Sequence, residues 1–329
     1  MADSHLRVSP LQLGQSKYFR ISITNTCNFR CYFCHNEGQQ FERFPLSDLL
    51  TAEDFIWVST IAHRAGFRKF KITGGEPTLN PRLLDIVRGI AQIGVEDLSM
   101  ISNGTNLTYL AENLKMAGLM RLNISLYSMD RESFERDQQV GGRLLEIAIS
   151  GVDAALNAGF TDLKLNYVFH GMHRLKEFYQ VCSFARKRHI TVVLLPILPV
   201  SLRTGDEQIA LTTLYETIQA QGIATEELLI DSEGMEKRLI TLSDNTKVLL
   251  RKDELAARQP FPACVTCPNR IDCREGVFPT RISCDGKLIR CLAKGMRPID
   301  IREMIQFRES DQLMGLLSGA ETQVIATQD

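Results

Sequence analysis

The sequence predicts an α/β fold: a partial (β/α)6, TIM-like barrel of parallel strands followed by a C-terminal cysteine-rich domain. Short β-branched runs alternate with longer segments of helical spacing as far as residue 200. Beyond that point the alternation dissolves into polar text such as "SLRTGDEQ" and "IDSEGMEKR". Five of the nine cysteines then fall between residues 264 and 291. A barrel is expected over 1–200 and a second domain over 201–329, helical or irregular before its cysteines.

Each element has its own justification. The strand-like runs are "YFRISIT" (18–24), "FKIT" (70–73), "DLSMIS" (97–102), "RLNISL" (121–126), "LKLNYVF" (163–169) and "ITVVLLPI" (190–197). Helical spacing covers Ala52 to His63, Pro81 to Gln92, Leu107 to Ala117, Leu144 to Ala158 and Leu175 to Arg188. In the fourth of these, Leu145, Ile149, Val152, Ala155 and Leu156 recur three or four apart, as one buried helix face requires. Six strands alternating with five helices read as βαβ units around a parallel sheet. Cys182 falls on a helix among apolar neighbours and reads as a core residue.

Composition narrows the class. The 329 residues carry a formal charge of −1 and are 44% hydrophobic, which suits a soluble chain with a large core. A near-neutral balance supplies no electrostatic ground for nucleic-acid binding. The opening "MADSHLRVSPLQLGQSKYFR" lacks the apolar core of a signal peptide, and no apolar run approaches the roughly 18 residues of a membrane span. A cytoplasmic protein is expected. Its thiols would be reduced, so nine cysteines point to metal or redox chemistry rather than to disulfides.

The stretch "TNTCNFRCYFCHNEG" (24–38) sets Cys27, Cys31 and Cys34 on the loop after the first strand. In α/β barrels that face carries the active site. Three thiolates on a short loop can hold three irons of a four-iron cluster and leave the fourth open for chemistry. A zinc site is the alternative, as are three unrelated buried thiols. Structural zinc takes four ligands, and His35 is available, although its adjacency to Cys34 is awkward for one tetrahedral ion.

C-x3-C-x2-C with Phe33 before the last cysteine is followed by "KITGGEPTL", "ISNGTNL", "RLNISLYSMD" and, less tightly, "LKLNYVF". Together these resemble the radical S-adenosylmethionine (radical SAM) superfamily. Within it the chain is similar to the GTP cyclases of molybdenum-cofactor biosynthesis, the MoaA family, a likeness that reaches "CVTCPNR" and "RISCDGKLIRCL". The resemblance implies a [4Fe-4S] cluster on Cys27, Cys31 and Cys34. S-adenosylmethionine would chelate the open iron and be cleaved reductively to a hydrogen-abstracting 5′-deoxyadenosyl radical. Gly74, Gly75 and Glu76 would meet the methionyl amino group, Phe33 the adenine, Ser125 the cofactor's polar end, and Ile197 its flank. A flavodoxin- or ferredoxin-type electron donor and a monomer or homodimer are implied as well.

The family's phosphate-holding cations correspond here to Arg20, Lys69, Lys71 and Lys164, with Ser102 as a polar neighbour. Arg270 and Arg281 correspond to the arginines of the C-terminal module. Converging cations favour a phosphorylated or otherwise anionic small molecule; the plain alternative is that some are solvated strand-edge charges. By the same resemblance Cys264, Cys267 and Cys291, with Cys273 as a fourth ligand, would hold an auxiliary four-iron cluster in a SPASM/twitch-like module. Taken alone, that module also reads as a zinc ribbon, and Cys284 ranks last among its ligands.

Two departures stand out. The sixth strand, "TVVLLPIL", lacks the cyclases' arginine, and the C-terminal cysteines are spaced C-x2-C-x5-C-x10-C-x6-C. The expected function is therefore a radical SAM enzyme acting on a nucleotide-like or other anionic small molecule in cofactor or natural-product biosynthesis. Alternatives are the GTP 3′,8-cyclase itself, a peptide-modifying maturase, or a non-enzymatic cluster- or metal-binding sensor. An intact "GGEP" beside the cysteine loop weighs against a sensor.

Overall fold

The computed structural model describes residues 18–39, 43–169, 171–197, 211–230, 236–251, 280–290, 292 and 297–318. Six strands form its centre: β1 (Tyr18–Ser22), β2 (Lys69–Thr73), β3 (Asp97–Ser102), β4 (Arg121–Ser125), β5 (Leu163–Phe169) and β6 (Thr191–Pro196). They lie side by side in chain order, and every neighbouring pair is parallel. The crossovers carry helices α1 (Ala52–Arg64), α2 (Leu83–Gln92), α3 (Leu107–Met116), α4 (Arg131–Gln138), α5 (Arg143–Asn157) and α6 (Leu175–Arg186). The partial barrel expected from the alternation is thus present.

Side chains alternate between the two faces of the sheet. One face is apolar and packs on the helices: Phe19, Ile21, Phe70, Ile72, Leu98, Met100, Leu122, Ile124, Leu165 and Val192 are fully buried. The other face is polar and lines the inside of the barrel. α1 illustrates why the helices form where they do. Thr51 and Asp54 build a capping box at its start, and Phe55, Val58, Ile61 and Ala62 supply its buried face.

Two parts of the fold differ from the expectation. α4 escaped notice because "RESFERDQ" is nearly all polar and buries one large apolar residue, Phe134. The region after residue 200 is less irregular than its composition suggests. After α7 (Leu211–Gln219), strands β7 (Ile223–Ile230), β8 (Glu236–Leu242) and β9 (Lys247–Arg251) form an antiparallel meander. β9 joins β6 in parallel and so extends the barrel sheet. The hairpin β8–β9 turns at Asn245, whose positive φ of 69° suits its type.

At the opposite edge β10 (Thr280–Ile282) pairs in parallel with β1 and turns antiparallel into β11 (Lys287–Ile289) and β12 (Ile299–Asp300). α8 (Arg302–Gln306) and α9 (Ser310–Ser318) follow. Chain segments on both sides of the barrel therefore share one sheet, of twelve strands among the described residues. Among the described residues no helix is long and apolar enough to cross a membrane. Cys182 is buried in α6, as expected.

Candidate active site

The loops at the C-terminal ends of β1, β2 and β3 are stitched together by hydrogen bonds. Gly75 N donates to Thr24 O (2.7 Å) and Glu76 N to Thr26 O (2.8 Å), so the "GGEP" turn runs against the start of the cysteine loop. Glycine is required there. A Cβ on Gly74 would strike the backbone oxygen of Thr24, one on Gly75 that of Thr26, and Gly74 has φ 142°. Asn28, between the first two cysteines, donates to Thr105 Oγ1 (2.9 Å) and accepts from Asn103 Nδ2 (2.7 Å). Sequence reading passed over Asn28, although it stands inside the quoted "CNFRC".

Glu76 is the brace of this face. It is 1% exposed, and its carboxylate accepts from Thr78 N (3.1 Å), Thr78 Oγ1 (2.6 Å), Ser102 Oγ (2.9 Å) and Asn103 N (2.7 Å). Burial raises its proton affinity, and these donors oppose the rise without cancelling it. Three of these donors are on Oε1 and one is on Oε2, so the second oxygen keeps acceptor capacity. Ser102 is committed: it donates to Glu76 and accepts from Gly104 N (3.0 Å), and it pairs with Ile124 on the helix-facing side rather than lining the barrel.

The three thiols are free; Cys27 and Cys31 are half-buried, and Cys34 is exposed. Phe29 N points at Cys27 Sγ and Asn36 N at Cys34 Sγ, both at 3.3 Å. Such N–H···S contacts stabilise ligating thiolates. Burial pushes Cys27 up to about 11 and raises Cys31 well above the ordinary thiol value, with the neighbouring thiols adding to both. Three thiols on one loop can serve a metal cluster as donors once its binding displaces their protons. Among the described residues no three His, Cys, Asp or Glu side chains converge where a single ion would sit. Thiolates that each take a different iron need no such convergence. α4 supports the loop from below: Arg30 N donates to Gln138 O (2.9 Å), Tyr32 N to Asp137 O (3.1 Å), and Phe29 meets Phe134 edge-on.

Phe33 is buried, with its ring edge-on to Tyr32 and to Tyr127, at centroid distances of 5.2 and 4.9 Å. Tyr127 was missed from sequence, though it lies in "RLNISLYSMD". Its hydroxyl is hydrogen-bonded to Ser125, and burial followed by the nearby Cys31 raises its proton affinity. Ile197, just past β6, is 2% exposed.

Below these loops the inner face carries a transverse row of cations. Arg281, Arg20, Lys71, Ser99 and Arg121 are successive register partners across β10, β1, β2, β3 and β4. Arg20 and Arg281 share the carboxylate of Glu37, and Arg121 is clamped by Asp97. Among the described residues Lys71 has no carboxylate partner. Its ammonium sits 5.2 Å from the Tyr18 ring centre and is hydrogen-bonded to the Tyr18 hydroxyl. Burial and Arg20 lower its proton affinity, against the pull of Tyr18. Lys69 stands one rung below, in register with Tyr18 and Asp97. Lys164 is paired with Asp162. Cys284 is fully buried, its N–H donating to Gln39 Oε1 (3.0 Å), and burial pushes its thiol up to about 12. Cys264, Cys267, Arg270, Cys273 and Cys291 lie outside the described residues.

A cysteine loop on the C-terminal face of a partial parallel barrel, braced by a glycine turn, defines a class, and comparison with known proteins gives the same one. Residues 21–185 match the Radical SAM superfamily. A protein of Saccharolobus solfataricus named Probable GTP 3′,8-cyclase is 32% identical over 306 residues, covering 91% of this chain and 90% of that one. Its namesake from Sulfurisphaera tokodaii is 32% identical over 292 residues, covering 87% and 84%. Streptococcus suis SuiB bound to S-adenosylmethionine superposes with a TM-score of 0.61 at 15% identity, covering 93% of this chain and 68% of that one, a likeness of fold.

The chain belongs to the radical SAM superfamily and is a radical SAM enzyme. Within the superfamily it is similar to the GTP 3′,8-cyclases, the MoaA-like group.

Proposed function

We propose that this enzyme abstracts hydrogen from a phosphorylated small molecule of nucleotide type, held inside the barrel by Arg20, Lys71 and Arg281. The carrying observation is the cation row, in which Lys71 lacks a carboxylate partner among the described residues. An ammonium without an acid beside it is the natural anchor for a phosphate. The likeness to the GTP 3′,8-cyclases makes GTP the first substrate to test.

When bound, a [4Fe-4S] cluster with S-adenosylmethionine supplies hydrogen-atom abstraction at an unactivated C–H bond. The residues of the chain do the rest. Cys27, Cys31 and Cys34 would hold the cluster. Gly74, Gly75 and Glu76 would meet the methionyl amino group, Glu76 through the oxygen that carries a single protein donor. Phe33, Ser125 and Ile197 would line the cofactor's remaining length, joined by Tyr127. Lys69 would add positive potential from below. Lys164 is offset by Asp162 and Ser102 faces the helices, whereas Arg20 and Arg281 share one carboxylate and keep a net positive charge. By the likeness to the cyclases, the C-terminal cysteines Cys264, Cys267, Cys273 and Cys291 would hold a second four-iron cluster. Arg270 would serve the substrate beside it, and a flavodoxin- or ferredoxin-type donor would provide electrons.

Anaerobic reconstitution tests this reading. Two clusters correspond to about eight irons per chain. Electron paramagnetic resonance of the reduced protein should shift on adding S-adenosylmethionine, and GTP should be consumed as 5′-deoxyadenosine forms. A spectrum indifferent to the cofactor would sink the cluster assignment. Cofactor cleavage that no nucleotide stimulates would sink the substrate class alone.

A further inference from the structure

The segment Asn36–Gly38 is a single left-handed turn: its three residues have φ of 46°, 52° and 81°. Two of them carry side chains, and each such residue in this region costs on the order of 1 kcal/mol or more. The turn lies two residues beyond Cys34, and both non-glycine residues are buried. A strained, buried turn needs an explanation. Its geometry supplies one, because it aims the Glu37 carboxylate inward between two guanidiniums on adjacent strands. Arg20 Nη2 donates to Oε1, and Arg281 Nε donates to Oε2 at 3.2 Å.

The turn's other contacts lead the same way. The next residue, Gln39, accepts from Cys284 N (3.0 Å). A Cβ on Gly38 would collide with Leu292 at 2.8 Å and press on Ile289 at 3.4 Å. Arg281, Cys284, Ile289 and Leu292, the partners described here besides Arg20, all belong to the segment 281–292.

We propose that Glu37 is a positioning residue that couples the cysteine loop to the C-terminal edge of the sheet and holds Arg20 and Arg281 at the spacing that substrate requires. It touches neither substrate nor cofactor and acts through the two arginines. Glu37 and the two arginines share little solvent contact, so removing the carboxylate strands two buried cations. The kinetic part of the inference rests on the anionic-substrate reading; the coupling part does not.

The test compares reconstituted holoenzyme as parent, Glu37→Gln, Glu37→Asp and Glu37→Gln/Arg281→Gln, with iron content as the control for folding. Hydrogen–deuterium exchange of residues 280–290 should quicken at least tenfold in Glu37→Gln, with little change in α5. The double variant, which removes one stranded charge, should melt above Glu37→Gln. With GTP, Glu37→Gln should lose at least tenfold in kcat while KM moves less than threefold, and Glu37→Asp should recover part of the rate. Unchanged exchange at 280–290, or strictly additive melting in the double variant, would overturn the coupling. A parallel rise in KM with kcat unaltered would overturn the positioning role. Failure of the parent to act on GTP or any other nucleotide would instead reject the nucleotide reading, leaving the exchange and melting results to decide on Glu37.

Discussion

Lys71 and Lys164 are both lysines on the inner side of barrel strands, yet their surroundings separate them. Lys164 is paired with Asp162, whereas among the described residues Lys71 has the Tyr18 phenol and no carboxylate beside it. A charge-assisted contact to phosphate contributes roughly 1.5–3 kcal/mol, so Lys71→Ala should raise KM for an anionic substrate about 10- to 100-fold. Lys164→Ala should raise it less than about threefold, because an ion pair already occupies its ammonium. Steady-state kinetics on both variants checks this; equal effects would mean that the carboxylate partner is irrelevant. From sequence the two were indistinguishable. Each follows the strand alternation, and the pairing that sets them apart is a matter of side-chain geometry.

At the scale of elements, α4 matters more than its eight residues suggest. Phe134 is 2% exposed and meets Phe29 edge-on at 5.4 Å, while the last carbonyls of the helix accept from Arg30 and Tyr32. Phe134→Ala should cost about 3–5 kcal/mol through lost burial and a residual cavity. Because the cavity opens beneath the cysteine loop, iron uptake should fall together with the denaturation midpoint. Full iron content in a destabilised protein would show that the loop holds its shape without the helix. The neighbouring βα units were legible because their apolar residues recur at helical or strand period. α4 was not, since a polar octapeptide with one aromatic carries no period to read. The meander β7–β9 was overlooked for a different reason: its polar surroundings masked the alternating "EKRLITL" and "KVLLR" on either side of a turn.

For the whole molecule, acid should reveal how the two ends of the chain are joined. Burial would raise the Glu37 carboxyl, but Arg20 and Arg281 outweigh it and hold the group at about 2 against an ordinary 4.5. A folded value below the unfolded one means that its contribution is fully present above about pH 4.5. That contribution is lost as pH falls through 4.5 toward 2, and is on the order of 3 kcal/mol. Urea midpoints of the parent should therefore fall across that window more steeply than those of Glu37→Gln. Identical slopes would mean that the carboxylate keeps its partners in the unfolded chain.

The sequence by itself determined the element types of the barrel, the cysteine loop and the glycine turn that meets it. These are written in short-range information: periods of two and 3.6, and motifs a few residues long. It also identified Arg20, Lys71 and Arg281 as cations worth attention. Only the tertiary structure decided which of them share a carboxylate, that Glu76 ties its own turn to the loop after β3, and that Tyr127 backs Phe33. It alone aligned Arg281 with Arg20 and set Glu37 between them, across 244 residues of chain from Glu37 to Arg281. Register between strands that far apart is set by packing across the sheet and by buried charge seeking a partner, and neither leaves a local trace in the sequence.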